Sequence, residues 1–247
     1  MTALPAIRRH IVVGADPERT YDAWLGEIGA WWPLEAFSVY GADAVVAVDG
    51  DAIVETGPTG ERAEWGRILV AERPGRLRFT WHPGRDEGQS EVEVTFLPLA
   101  EGRTLVTLEH HDWQHYDDPA AARAEYGSGW PRVLGRFAGG IPAADPDGES
   151  WLVLEHTPGV AAGETPIFGH PLFVEHVRFI ETAQSAGVLV AAGPLPDAPG
   201  HGQTILRVPG DAVGEWVAAA QADGAVAGEL LELRVRPWLV RTVGGAG

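Results

Sequence analysis

The stretch Ser90–Phe96 reads SEVEVTF, the strict polar–apolar alternation of a strand with one wet face and one buried face. Similar runs near Ala44–Val48, Ala52–Glu55, Glu61–Ala71, Leu77–His82 and Thr104–Asp112 predict a β-meander, punctuated by Asp49-Gly50, Pro74-Gly75 and Pro83-Gly84. Ahead of it, IRRHIVV reads as a strand with Ile7, Arg9 and Ile11 on one face. Asp16-Pro17 is a helix start, an N-cap acceptor before a residue whose missing N–H costs nothing there. Tyr21, Trp24, Leu25 and Ile28 recur at helical spacing, and Pro33 is expected to end that helix. After the meander, Pro119 opens a helix on which Trp130, Val133, Leu134 and Phe137 share a stripe.

The periodicity then lapses. Residues 139–150 are rich in Gly, Pro and Asp and read as a linker between a domain at 1–138 and another at 151–247. The second half starts with the strand WLVLEH and continues with a helix over Leu172–Ala186, closed by Gly187. VLVAAGPL and QTILRV are two further strands. A helix over Ala212–Ala222, apolar at Val213, Trp216, Val217 and Ala220, precedes a last strand in LLELRVRPWLV. The order βαββαβ is the ferredoxin-like pattern, so the fold class is α+β throughout. Both crossover helices fall on one sheet face and leave the other to be covered.

Composition narrows the chemistry. Of 247 residues, 45% are apolar and 21% charged, as in a folded globular protein. A net charge of −17 makes nucleic acid and anionic membrane poor partners. Cysteine and lysine are both absent, which excludes disulfides, thiolate nucleophiles, Cys-held metals, Schiff bases and a Walker lysine. No run approaches the roughly 18 apolar residues of a membrane helix, and a cytoplasmic protein is expected. There is no Gly-rich dinucleotide loop and no Gly-x-Ser-x-Gly elbow. His110, His111, Asp112 and His115 cluster, but alternate strand residues point apart, so no metal site is assigned. No cofactor is expected.

Two family resemblances refine this reading. EWGRILVAERPGRLRFTWHPGRDEGQSEVEVTFLPLAEGRTLVTLEHHDW, with GWPRVLGRF further on, resembles the AHSA1-like branch of the SRPBCC (START-like) superfamily. That resemblance implies a helix-grip domain, a sheet around a long C-terminal helix enclosing an apolar cavity. Seven of the ten Trp lie in this half, and indoles make flat apolar walls. Trp31, Trp32 and Trp81 are candidate cavity liners, with Glu64 and His82 as polar groups for a ligand. FVEHVRFIETAQSAGVLVAAGPLPD and ADGAVAGELLELRVRPW resemble the YCII-related family of small ferredoxin-like domains. That resemblance places a His–Asp site at His176 and Asp223 and a second copy over the open sheet face, giving a homodimer unless the first domain substitutes. Phe173 stands where the family often has Arg, and Gly224-Ala225 where it usually reads Pro-Tyr. Asp197, after the second strand, is a further candidate acid or an ordinary turn residue.

The expected function is binding of a small apolar or aromatic molecule. Acid–base chemistry at the imidazole–carboxylate pair would then drive proton abstraction, elimination or cyclisation, as in a lyase, cyclase or dehydrochlorinase. The competing class is a non-enzymatic ligand-sensing or chaperone-type interaction module.

Overall fold

The computed structural model describes residues 4–85, 89–99, 102–141, 148–163 and 166–243. Of the expected linker, residues 142–147 lie outside this set. The chain divides into two compact units, residues 1–98 with 102–144, and 99–101 with 145–247.

In the first unit, seven strands form one antiparallel sheet. They are β1 (Ile7–Val13), β2 (Val45–Asp49), β3 (Ala52–Thr56), β4 (Arg62–Glu72), β5 (Arg76–Trp81), β6 (Ser90–Pro98) and β7 (Thr104–His111), in the order β1-β7-β6-β5-β4-β3-β2. Along β6 the alternation is kept: Ser90, Val92, Val94 and Phe96 are buried and the residues between them are not. α1 (Pro17–Gly26) starts as expected, with Asp16 Oδ1 accepting the Arg19 N–H at 2.7 Å. It does not run to Pro33. Glu27 leaves helical geometry at φ −120, and a separate turn, α2 (Ile28–Trp31), follows. The break swings Trp31 back onto Trp24, ring centroids 5.1 Å apart, and ring packing outweighs one more helical turn.

α3 (Pro119–Gly140) buries Trp130, Val133, Leu134 and Phe137, the stripe read from the sequence. Pro131 sits inside it, without an N–H for the carbonyl four residues back. That carbonyl, Gly127 O, accepts from Arg9 Nη2 at 3.2 Å instead, which satisfies the orphan and ties α3 to β1. In β4 a bulge sets Glu64 opposite Val54 but Gly66 opposite Ile53, so Trp65 has no partner position. Gly66 is obligatory there, since a Cβ would fall 1.7 Å from Thr80 O. The bulge turns Trp65 inward to donate its Nε1–H to Glu55 Oε2 at 2.9 Å. Glu55 is fully buried and also accepts from Val39 N and Tyr40 N, each at 2.9 Å, and from the Ser38 hydroxyl. Four donors replace the water this carboxylate loses.

In the second unit, β8 (Glu149–Pro158), β9 (Leu189–Pro194), β10 (Gly202–Pro209) and β11 (Leu231–Pro237) form an antiparallel sheet in the order β11-β8-β10-β9. α4 (Phe173–Ser185) joins β8 to β9, and α5 (Val213–Ala222) with the short α6 (Gly224–Ala227) joins β10 to β11. Gly187, at φ +72, closes α4 as expected, with Gly187 N and Val188 N donating to Gln184 O and Ala183 O. The last strand stops at Pro237, short of the expected Trp238–Val240, with one further backbone bond from Trp238 N to Trp151 O at 2.8 Å. Leu152, Leu154 and His156 of β8, with Thr204 and Leu206 of β10, lie on the buried sheet face. Two polar side chains among these leucines set the site apart.

Candidate functional site

The five candidate ligand residues of the first unit fall into two groups. Trp31, Trp32 and Trp81 are buried in a continuous aromatic cluster. Trp32 is its hub, with ring centroids 5.7 Å from Trp31, 5.0 Å from Trp65, 5.4 Å from Trp81 and 6.2 Å from Trp130. Trp31 and Trp32 donate their indole N–H groups to Ala23 O and Phe37 O, whereas Trp81 Nε1 is buried without a partner. At the strand end, His82 Nδ1 lies 3.0 Å from Arg85 O, and His82 Nε2 is buried without a hydrogen bond. Glu64 is half-exposed, pairs with Arg67 at 2.5 Å, and stands 3.8 Å from His82.

A polar network that the sequence did not announce lies nearby. His110 Nε2 is 2.7 Å from Ser90 Oγ, the spacing of a nucleophile and its base. The hydrogen-bond directions exclude that role. Trp130 Nε1–H donates to His110 Nδ1 at 3.1 Å, so the neutral ring carries its proton on Nε2 and donates to Ser90. Ser90 in turn donates to Trp81 O at 2.9 Å. His110 therefore has no lone pair to offer Ser90. Burial, and secondarily the adjacent His111, push its pKa down to about 3, so it stays neutral. His111 faces the other way and meets Asp112 Oδ2 at 2.7 Å.

In the second unit the structure brings His176 and Asp223 together. His176 lies in the first turns of α4, and Asp223 sits between α5 and α6. Asp223 Oδ1 accepts the Ala225 N–H at 2.9 Å, which caps α6 and fixes the carboxylate. Its Oδ2 is 2.6 Å from His176 Nδ1, a charge-assisted bond with the Asp side chain wholly buried. Gly224 permits the approach, since a Cβ there would fall 2.7 Å from Glu175 Cγ on α4. His176 borders a cleft of about 180 Å³, walled by Phe168, Phe173, Val177, Ile180 and Leu231. Asp197 is exposed in the turn between β9 and β10.

A third imidazole completes the cleft. His156 of β8 packs edge-on to His176, ring centroids 4.6 Å apart. Its pKa is pushed down to about 3, chiefly by burial and further by His176, with Asp223 opposing. His156 Nε2 and Thr204 Oγ1 are both buried without a hydrogen-bond partner, and both residues border the cleft. Sequence reading missed them because each occupies an ordinary inward strand position. Only the apolar residues around them mark them as costly to bury.

His156, His176 and Asp223 place ligand atoms within 4.8 Å of one another. A divalent ion bonded at about 2.0–2.1 Å would hold tetrahedral ligand atoms roughly 3.3 Å apart. The 2.6 Å His176–Asp223 contact is closer than that and is bridged by a proton. The second such group, Glu91, His111 and Asp112, is half-exposed and contains the same kind of contact.

The first unit is an antiparallel sheet with a long C-terminal helix, consistent with an SRPBCC-like helix-grip α+β domain. Residues 14–139, just over half of the chain, match the family described as Activator of Hsp90 ATPase homolog 1-like protein, and the chain belongs to that family. Among solved structures it is similar to the anthrahydroquino-gamma-pyrone synthase Txn09, at 28% identity over 57% of this chain and 100% of that one, with a TM-score of 0.42. The self-sacrificing resistance protein CalC from Micromonospora echinospora is 26% identical over 55% of this chain and 92% of its own, with a TM-score of 0.43. The Aha1 dimer from Colwellia psychrerythraea is 17% identical over 55% and 95%, with a TM-score of 0.40. No curated protein matches the chain. Among the described residues, no helix is long and apolar enough to cross a membrane.

Proposed function

We propose that the chain binds a small apolar or aromatic molecule in the cleft of its second unit and transforms it by proton transfer through His176. The observation that carries this reading is the 2.6 Å bond from His176 Nδ1 to the buried Asp223 carboxylate, at the edge of an aromatic-walled cleft. With Asp223 accepting from Nδ1, the neutral ring keeps its lone pair on Nε2 and takes a proton there. The carboxylate then stabilises the imidazolium that forms. Proton abstraction, elimination and cyclisation all use such a base and need no external electron carrier. The strand order β11-β8-β10-β9, with both crossover connections helical, supports reading the second unit as a ferredoxin-like domain of YCII-related type.

Long-range 15N–1H NMR of the full chain tests the dyad. His176 is expected as the Nδ1–H tautomer, and Asp223→Asn is expected to abolish that preference while still capping α6. Toluene should shift the His176 and Phe173 resonances. An Nε2–H tautomer in the unsubstituted protein, or no response to toluene, rejects the reading.

One observation favours a second, non-enzymatic site in the first unit. Trp81 Nε1 is buried without a partner, and a ligand acceptor would satisfy it. An anilinonaphthalene sulfonate dye should then quench Trp emission, with Trp81→Phe weakening its binding more than Trp24→Phe. Equal effects would dismiss a ligand at this place.

A further inference from the structure

The cleft contains more than a base. Its two unpaired buried groups, His156 Nε2 and Thr204 Oγ1, belong to residues only 3% and 1% exposed. No protein group bonds either atom, so each costs about 1–3 kcal/mol unless a molecule in the cleft supplies a partner. They come from neighbouring strands. In the β8–β10 ladder His156 faces Gly202 and Thr204 faces Leu154, so both side chains fall on the buried face, one diagonal step apart. The residues beside them are small. Gly202 is opposite His156, and Ala192 is opposite Thr204 on β9, so neither cross-strand neighbour is bulky. Apolar rings close the far wall.

We infer that His156 and Thr204 form a two-donor seat for a substrate oxygen, and that the substrate is a ring-sized carbonyl compound deprotonated beside its C=O. This rests on the proposed role of His176 as base and names the substrate class that role serves. The step is redox-neutral. The C–H bond next to the carbonyl breaks, and its proton passes to His176 Nε2. The electron pair forms the C=C bond, and the carbonyl π pair moves to oxygen. That oxygen gains negative charge and accepts hydrogen bonds from His156 Nε2–H and Thr204 Oγ1–H. Donors must keep their protons to do this. Burial holds His156 neutral well below physiological pH, so it remains a neutral donor while His176 next to it changes charge. Size agrees: an apolar cavity of about 150 Å³ holds benzene, and this cleft is about 180 Å³. A monocyclic ketone or enone fits.

The test uses 4-nitrophenol, whose phenolate mimics an enolate and absorbs in the visible. At a pH where the free phenol is mostly protonated, the full chain is expected to bind it as phenolate, with the visible band appearing on titration. Thr204→Val keeps the shape and removes the hydroxyl, and His156→Gln removes the imidazole. Each is expected to weaken phenolate binding about tenfold to a hundredfold, the worth of a hydrogen bond to a charged oxygen. His176 tautomers measured on the same samples separate the two ideas. An intact Nδ1–H tautomer with no phenolate binding, or with binding unchanged in Thr204→Val, overturns the oxygen seat and leaves the acid–base reading standing. A His176 not held by Asp223 overturns that reading itself. Should His156→Gln fail to fold, Thr204→Val alone decides.

Discussion

Replacing Trp32 by alanine is expected to destabilise the first unit by about 3–5 kcal/mol, the cost of emptying a well-packed aromatic site. Its indole touches four other indoles and its N–H is bonded to Phe37 O at 2.8 Å, so truncation removes packing and one part-buried hydrogen bond. The neighbours are rigid rings on separate elements and collapse poorly into the gap. Urea unfolding followed by the remaining Trp emission measures the loss. Trp238→Ala serves as the control, because that side chain is 46% exposed, and it should change stability by less than about 1 kcal/mol. The hole left at position 32 is apolar and ring-shaped, so added indole should bind it and restore part of the loss. A cost below about 1 kcal/mol would show that the cluster is loosely packed and already has room for a ligand.

Acidification is expected to destabilise both units before any ordinary carboxylate titrates. His110 in the first and His156 in the second have pKa values pushed down to about 3 by burial, against about 6.5 for an ordinary imidazole. Between those values the unfolded chain binds a proton that the folded chain refuses, so stability rises with pH. Each contribution is fully present above about pH 6.5 and falls as pH drops toward 3. From pH 7 to pH 5 each imidazole should cost about 2 kcal/mol. That window lies above the usual carboxylate range of about 4. Urea transitions at pH 7, 6 and 5 should show the loss, read by Trp emission for the first unit and by NMR for the second. His110→Gln keeps an acceptor for Trp130 and a donor for Ser90 but cannot titrate, so its first-unit midpoint should hardly move with pH. A flat midpoint in the unsubstituted protein would mean that water reaches both rings.

Local elements were largely legible. The alternation of SEVEVTF appears as β6, Asp16-Pro17 starts α1, and the Trp130–Phe137 stripe is the buried face of α3. These features act within a few residues, and near-neighbour sterics and capping decide them. The misses are tertiary. The break at Glu27 occurs because Trp31 packs on Trp24, and the β4 bulge because Trp65 reaches Glu55. A helix period or strand period counts positions along one segment and cannot register a partner on another.

The site divides the same way. Sequence by itself determined which chemistry the chain lacks, with no thiol and no lysine amine, and it singled out His176 and Asp223 through a family resemblance. Only the tertiary structure decided that those two meet at 2.6 Å and that Asp223 also caps α6. It likewise decided that Ser90 and His110, which look like a nucleophile and base, are locked in the wrong tautomer by Trp130. Strand pairing in β8 and β10 set His156 and Thr204 side by side with unpaired polar atoms. The physical reason is range. A residue's own neighbours set its conformation, whereas its protonation state and unmet hydrogen bonds depend on side chains that register and packing bring from distant parts of the chain.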